Sequence, residues 1–168
     1  MKYKNIIING EVEIEPTSMC GLNNVLLANG VRIAKNCSIF GSEKNILEIG
    51  EGTYVGMNTI LNGFSAKLSI GKNVSFAQNV NVMTDSGPNA STKLQKLFPI
   101  ETGNVIIGNH CWIGASAIIM PNVVLGDFCV VAAGSFVKDS FPAYSVIGGT
   151  PARIIKELSE QEREILNK

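Results

Sequence analysis

Aliphatic or aromatic residues recur at every sixth position along most of this chain. The longest unbroken series is Ile107, Ile113, Ile119, Leu125, Val131 and Val137. The same spacing returns upstream as Ile70, Phe76 and Val82, as Ile49, Val55 and Leu61, and as Ile33 and Ile39. The residue after such an anchor is often glycine, as at Gly50, Gly56, Gly71, Gly108, Gly114 and Gly126. The fourth residue after it is small or compact, as at Cys37, Thr53, Thr59, Ser65, Ser86, Cys111, Ala117 and Cys129, and never a long charged chain.

A period of six fits neither an amphipathic helix nor a hairpin meander. It combines the two-residue alternation of a strand with a turn in every segment. Three such segments close a triangular coil, and coils stacked at roughly 4.8 Å bury anchor above anchor in a solenoid. The pattern therefore predicts an all-β chain folded as a parallel β-helix, with coils over about 31–140 of a single domain spanning 1–168. Between Val82 and Ile107 the period breaks, so residues 84–104 are expected to leave the solenoid as a long loop. Its Leu94, Leu97, Phe98 and Ile100 would either fold back on their own coil or meet a neighbouring subunit.

After Val137 the repeat stops at Phe141-Pro142. Residues 141–168 read as an irregular stretch and a short helix, in which Ser159 and Glu162 have the spacing of a capping box. The residue just before each anchor should face outward, which stacks Trp112 beneath Val130 and Ile118 beneath Phe136. Outward apolar stripes on the flat face of a prism predict a subunit interface.

Composition narrows the function. Fourteen basic residues balance fourteen acidic ones, and no Lys/Arg run follows one segment, which argues against a nucleic-acid partner. The N-terminus lacks an export-signal core, and the apolar stretch Trp112 to Leu125 is broken by Gly114, Pro121 and Asn122. Neither a signal peptide nor a membrane span is expected, and the predicted location is the cytoplasm. Cys37, Cys111 and Cys129 occupy the small inward position and read as packing residues. No Cys-x-x-Cys spacing with a histidine partner accompanies them, so no metal site is expected.

The runs Ile106-Ile107-Gly108-Asn109-His110-Cys111-Trp112-Ile113-Gly114-Ala115, Ala132-Ala133-Gly134-Ser135 and Gly148-Gly149-Thr150-Pro151-Ala152-Arg153 resemble the galactoside and maltose acetyltransferase family. The resemblance extends to bacterial acetyltransferases of polysaccharide and nucleotide-sugar precursors. It implies the left hand of the β-helix, a cyclic homotrimer, acetyl-coenzyme A as co-substrate, and a small sugar or nucleotide sugar as acceptor. It places the donor along Ala115 and Ala133, with Arg153 and Lys156 near its nucleotide. Lys138 falls where the family has Thr-Lys, but here the pair is Lys138-Asp139. Asn58 lies in a stretch resembling the acceptor-binding region, and reads equally as a turn asparagine.

One departure bears on the chemistry. The family sets its general base, a histidine, immediately before a proline at the start of the long loop, and this chain has Gly87-Pro88. Loss of such a base typically costs about 10²- to 10⁴-fold in rate. Asp85 is the candidate replacement, and His110, the only histidine, is a second. An amine acceptor, attacking with its own lone pair, would depend less on any base. A γ-type carbonic anhydrase would need three histidines and is excluded. A non-catalytic ligand-binding or assembly scaffold is the remaining alternative.

Overall fold

The computed structural model describes residues 6–20, 24–166 and 168. Three parallel sheets form the faces of a triangular prism. The first face stacks strands Ile6–Ile8, Val25–Leu27, Leu47–Ile49, Leu68–Ile70, Val105–Ile107 and Val124–Leu125. The second runs from Glu13–Ile14 to Ser145–Gly149, and the third from Met19–Cys20 to Phe136–Val137.

Anchors pair with anchors in the register the period requires: Ile49 with Ile70, Ile70 with Ile107, Phe76 with Ile113, and Ile113 with Val131. Every anchor named from the sequence is buried in one continuous core. Glycine follows an anchor where the next coil passes too closely for a side chain. A Cβ on Gly50 would lie 2.4 Å from the Gly71 carbonyl oxygen, and one on Gly114 would lie 2.5 Å from the Ala133 nitrogen.

The small inward position carries a second regularity. Its polar side chain donates to the carbonyl just after the anchor of the next coil. Thr53 Oγ1 reaches Gly71 at 3.0 Å, Thr59 Oγ1 reaches Ala77 at 3.2 Å, and Cys37 Sγ reaches Gly56 at 3.2 Å. Cys111 Sγ reaches Gly126 at 3.2 Å and Cys129 Sγ reaches Pro142 at 3.1 Å. The cysteines are thus compact donors tying coil to coil. Burial raises the Cys37 thiol, and side-chain hydrogen bonding with Cys129, with burial, raises that of Cys111. Ser65 and Ser86 depart from this rule: both are only half-buried, because they stand where the coil widens.

The ladder extends beyond the boundaries expected from the sequence. It begins at Ile6 rather than near residue 31, since Ile6–Ile8 and Glu13–Ile14 already pair in parallel with the next coil. The segment after Phe141 is not irregular. Ser145–Gly149 continues the second face beside Val130–Val131, then turns back antiparallel against Ala152–Glu157. The hairpin closes the edge that the solenoid's last strand would otherwise leave open.

Helix α1, Glu160–Leu166, follows. The Ser159 N–H donates to Glu162 Oε2 at 2.8 Å and the Glu162 N–H to Ser159 Oγ at 3.3 Å, forming the expected capping box. At the corner between the first and second faces, the turn residue has positive φ in coil after coil. Earlier coils use Gly30, Gly52 and Asn73 there, but later ones use His110 (55°), Phe128 (58°) and Tyr144 (65°). Such angles strain bulky residues, and here ring stacking offsets the strain. His110 lies 4.9 Å from Phe128 and Phe128 5.1 Å from Tyr144, with ring planes within 5° of parallel. The Arg163 guanidinium caps the stack 4.8 Å above Tyr144, which fixes α1 to the solenoid.

Two expectations follow. Ile113→Ala, at a fully buried anchor, should lower stability by about 2–5 kcal/mol, whereas Ile106→Ala, outward-facing and 44% exposed, should change it by under about 0.5 kcal/mol; urea unfolding of both variants measures the contrast. The Glu162 carboxyl is held down to about 2, first by the hydrogen bond from Lys156 and then by the Ser159 N–H. Since this lies below its ordinary value of 4.5, its contribution to α1 is complete above that pH and is lost as pH falls through about 2. Fluorescence of Tyr144 under Arg163 should report α1 loosening over that window, and Glu162→Gln should abolish the transition.

Candidate active site

The six-residue step holds from Leu27 onward at two corners of the prism; at the third it holds from Ile119 to Leu125 but is lengthened in the three preceding coils. There the step is ten residues from Ile39 to Ile49, nine from Leu61 to Ile70 and twenty-five from Val82 to Ile107. Excess chain from three successive coils therefore emerges along one edge. Residues 41–45 make the first widening, 63–67 the second, and 84–104 the third.

Together these segments enclose a concavity of about 680 Å³, lined by Ser42, Lys44, Asn45, Phe64, Ser65 and Thr102 among others. The long segment is not a formless loop. It leaves the coil through an antiparallel ribbon, Asp85–Ser86 against Glu101–Thr102, with Asp85 opposite the lining residue Thr102. Buried Thr84 anchors that ribbon by accepting the N–H groups of Ser65 and Ala66 on its Oγ1, at 3.3 Å each. The tip of the segment carries Leu97 and Phe98, 77% and 63% exposed. They do not pack on their own coil.

Asp85 stands half-buried at the edge of the concavity. Ser65 Oγ donates to its Oδ2 at 2.6 Å, and Asn62 Nδ2 donates to its Oδ1 at 3.2 Å. Both donors come from the coil below, so the carboxylate is oriented by rigid structure. Each oxygen keeps further acceptor capacity for a ligand. Gly87 lies two residues on, where a Cβ would fall 2.8 Å from Ile100 Cα. Any side chain there would force the ribbon to shift.

The other residues singled out from the sequence lie elsewhere on the prism. Ala115 and Ala133 occupy the second corner, one coil apart, with the Gly134 N–H bonded to the Ala115 carbonyl at 2.8 Å. A Cβ on Gly134 would meet nothing within 4 Å, so this track is small and open. Asn58 is on the same corner, at φ 60°, with its Nδ2 donating to Asn79 Oδ1 at 3.1 Å. His110 is on the first corner, in the aromatic stack. Arg153 and Lys156 lie on the C-terminal hairpin, and Lys138 is exposed just after the last anchor. Each hairpin cation has an acidic partner: Arg153 Nη1 is 3.0 Å from Asp139 Oδ2, and Lys156 Nζ is 2.5 Å from Glu162 Oε1.

Sequence reasoning did not single out Asn62 or Phe64, and it gave Ser65 only as a small inward residue. The signal was present in the lengthened steps from Ile39 to Ile49 and from Leu61 to Ile70, which mark the edge where chain is diverted. No cluster of three or more potential metal ligands occurs among the described residues, and no described helix is long and apolar enough to cross a membrane.

Comparison with known proteins agrees with this architecture. The bacterial transferase hexapeptide (six repeats) family model matches residues 104–139. The putative colanic acid biosynthesis acetyltransferase WcaF of Escherichia coli K12 is 33% identical over 137 residues, covering 79% of this chain and 72% of its own length. The chain belongs to the bacterial hexapeptide transferases. The galactoside O-acetyltransferase of Escherichia coli K12 is 32% identical over 74% of this chain, a match that spans 61% of that relative. An Escherichia coli dTDP-4-amino-4,6-dideoxy-D-glucose acyltransferase is 26% identical over 98% of this chain and 88% of its own length. Among solved structures, a variant of AntD, an N-acyltransferase from Bacillus cereus in complex with dTDP and coenzyme A, superposes with a TM-score of 0.76. It is 26% identical and covers 95% of this chain and 87% of that one. The solenoid is the left-handed parallel β-helix of these transferases.

Closure of the ribbon over Gly87 makes a direct prediction. Gly87→Ala should destabilise the protein by about 1–3 kcal/mol, as overpacking does, with a lowered Tm in differential scanning calorimetry. Gly87→His should do at least as much damage.

Proposed function

We propose that this chain transfers an acyl group, with acetyl expected, from coenzyme A to the amino group of a sugar, most simply a nucleotide-linked amino sugar. The observation that carries the reading is Asp85, held at the edge of the concavity by Ser65 and Asn62. A carboxylate in that setting is a hydrogen-bond acceptor for an amine. It would orient the nitrogen lone pair toward the thioester carbonyl and stabilise the positive charge that develops on nitrogen as the C–N bond forms. The C–S bond then breaks and the thiolate leaves, while nitrogen loses its proton to Asp85 or to water. An amine of pKa near 8 is already about one-tenth neutral at pH 7, so the demand on a base is far smaller than for a hydroxyl. The chemistry thus tolerates glycine at position 87.

Relatives named as an aminosugar acyltransferase and an N-acyltransferase, matching nearly the whole chain, support the same choice. Ala115, Ala133, Arg153 and Lys156 are assigned to the donor, with Lys138 beside them. Asn58 and His110 then serve the turns they occupy.

Asp85 and the small-residue track lie on different corners of one prism. In this reading the site is completed between subunits of a homotrimer, with the third corner of one facing the second corner of the next, and exposed Leu97 and Phe98 reaching across. The reaction is assigned to the cytoplasm, where acyl-coenzyme A is made.

The test is thiol release from acetyl-coenzyme A with matched amino and hydroxyl forms of a nucleotide-linked sugar. Turnover of the amino form, and a fall of about 10²-fold or more in kcat for Asp85→Asn, are expected. Faster turnover of the hydroxyl form would overturn the amine reading, and absence of donor binding would return the chain to a scaffold.

A further inference from the structure

Asp139 holds the guanidinium of Arg153, a cation that the proposed function assigns to the donor and whose charge suits the donor's phosphates. We infer that Asp139 is a specificity-determining residue, an internal competitor that weakens binding of phosphate-bearing donors and hastens their release. The inference rests on the reading of Arg153 as a donor contact.

The geometry is built from both sides. Arg153 lies on the C-terminal hairpin opposite Gly148, so its position is set by the ladder and not by a free tail. Its Nη1 donates to Asp139 Oδ2 at 3.0 Å and to the Ala152 carbonyl at 2.8 Å. Asp139 stands in the turn after the last anchor, Val137. The next residue, Ser140, accepts the Val124 N–H on its Oγ at 2.8 Å, which fixes this turn to the coil below. The pair thus joins two segments held by the ladder and by the coil below, which keeps the carboxylate within reach of the guanidinium. A phosphate arriving at Arg153 must displace Asp139 or share the cation with it. Either costs affinity, because two anions then face one positive group.

The neighbouring pair differs. Lys156 contacts Glu162, but that carboxylate is also engaged by the Ser159 N–H and belongs to the cap of α1. Asp139 has no side-chain partner other than Arg153 among the described residues. Competing for Arg153 is the one interaction its carboxylate makes there.

The sign of the effect suits turnover. Product coenzyme A carries the same phosphates as the acylated donor, so a site that grips them strongly would release product slowly. Recapture of Arg153 by Asp139 assists departure. Both side chains are exposed, so the effect is screened and should be about two- to five-fold in affinity at low salt.

The experiment is calorimetric titration of the full chain with acetyl-coenzyme A, comparing wild type, Asp139→Asn, Arg153→Ala and the double variant. S-acetylpantetheine, which has no phosphate, is the control ligand, and thermal unfolding checks that each variant is folded. Asp139→Asn is expected to tighten acetyl-coenzyme A about two- to five-fold, to leave S-acetylpantetheine unchanged, and to have no effect once Arg153 is alanine. Its advantage should shrink as salt is added. Unchanged or weaker binding by Asp139→Asn, or equal tightening with and without Arg153, would overturn the inference. If Arg153→Ala itself binds as well as wild type, the underlying donor reading has failed as well, and that outcome is distinct from a silent Asp139 beside a functional Arg153.

Discussion

Everything in this molecule depends on each coil satisfying the backbone of the next. A parallel strand of two or three residues cannot stand alone, and its N–H and C=O groups would be costly to bury unpaired. The solenoid answers with ladders on three faces and a further bond at the corners, where Thr53, Thr59, Cys37, Cys111 and Cys129 each donate to a turn carbonyl of the following coil. No buried polar side-chain atom among the described residues lacks a partner. The requirement for close stacking also explains why the sequence alternates branched anchors with glycine and small residues. The space between coils is fixed by the hydrogen bonds, and side chains must fit what remains.

The same constraint decides how much of the fold is legible in the sequence. A strict period is legible because each anchor from Ile33 to Val137 must meet another of its kind, and departures from six are legible as interruptions. The first coils were missed because Ile6 to Ile14 spans too few hexads to declare a period, although pairing with Val25–Leu27 and Arg32–Ile33 places them firmly in the stack. The hairpin after Phe141 was missed for a related reason. Its strands have neither the period nor a two-residue length, and Ala152–Glu157 is ordered by antiparallel pairing that no local pattern announces. Long-range pairing can override a weak local signal.

The site shows a sharper version of this limit. Asp85 was visible as an acid near the missing histidine, but its environment was not, since Asn62 and Ser65 lie 23 and 20 residues away in the chain. Their meeting is a consequence of stacking, because the insertions after Ile39, Leu61 and Val82 share one corner. A solenoid can lengthen a turn without disturbing the coils on either side, provided the anchors on each flank keep register. Insertions at one edge in consecutive coils therefore build a concavity on an otherwise flat prism. The two unperturbed corners have their own uses, one as a track of small residues and the other as the aromatic stack that seats α1.

Glycine at position 87 then has a structural explanation as well as a chemical one. The ribbon that carries Asp85 closes against Ile100 at the point where a histidine Cβ would have to sit, so a side chain there would force the ribbon to shift. Closing the ribbon brings Asp85 opposite Thr102 and within reach of Ser65 and Asn62. Where the resembled family has an imidazole that takes a proton from a hydroxyl, this chain has a carboxylate fixed by two donors. Such an anion is less suited to creating a nucleophile than to positioning one that already has a lone pair. In the proposed reading, glycine at position 87 and the ordering of Asp85 are two consequences of one backbone arrangement, and both suit an acceptor that arrives as an amine.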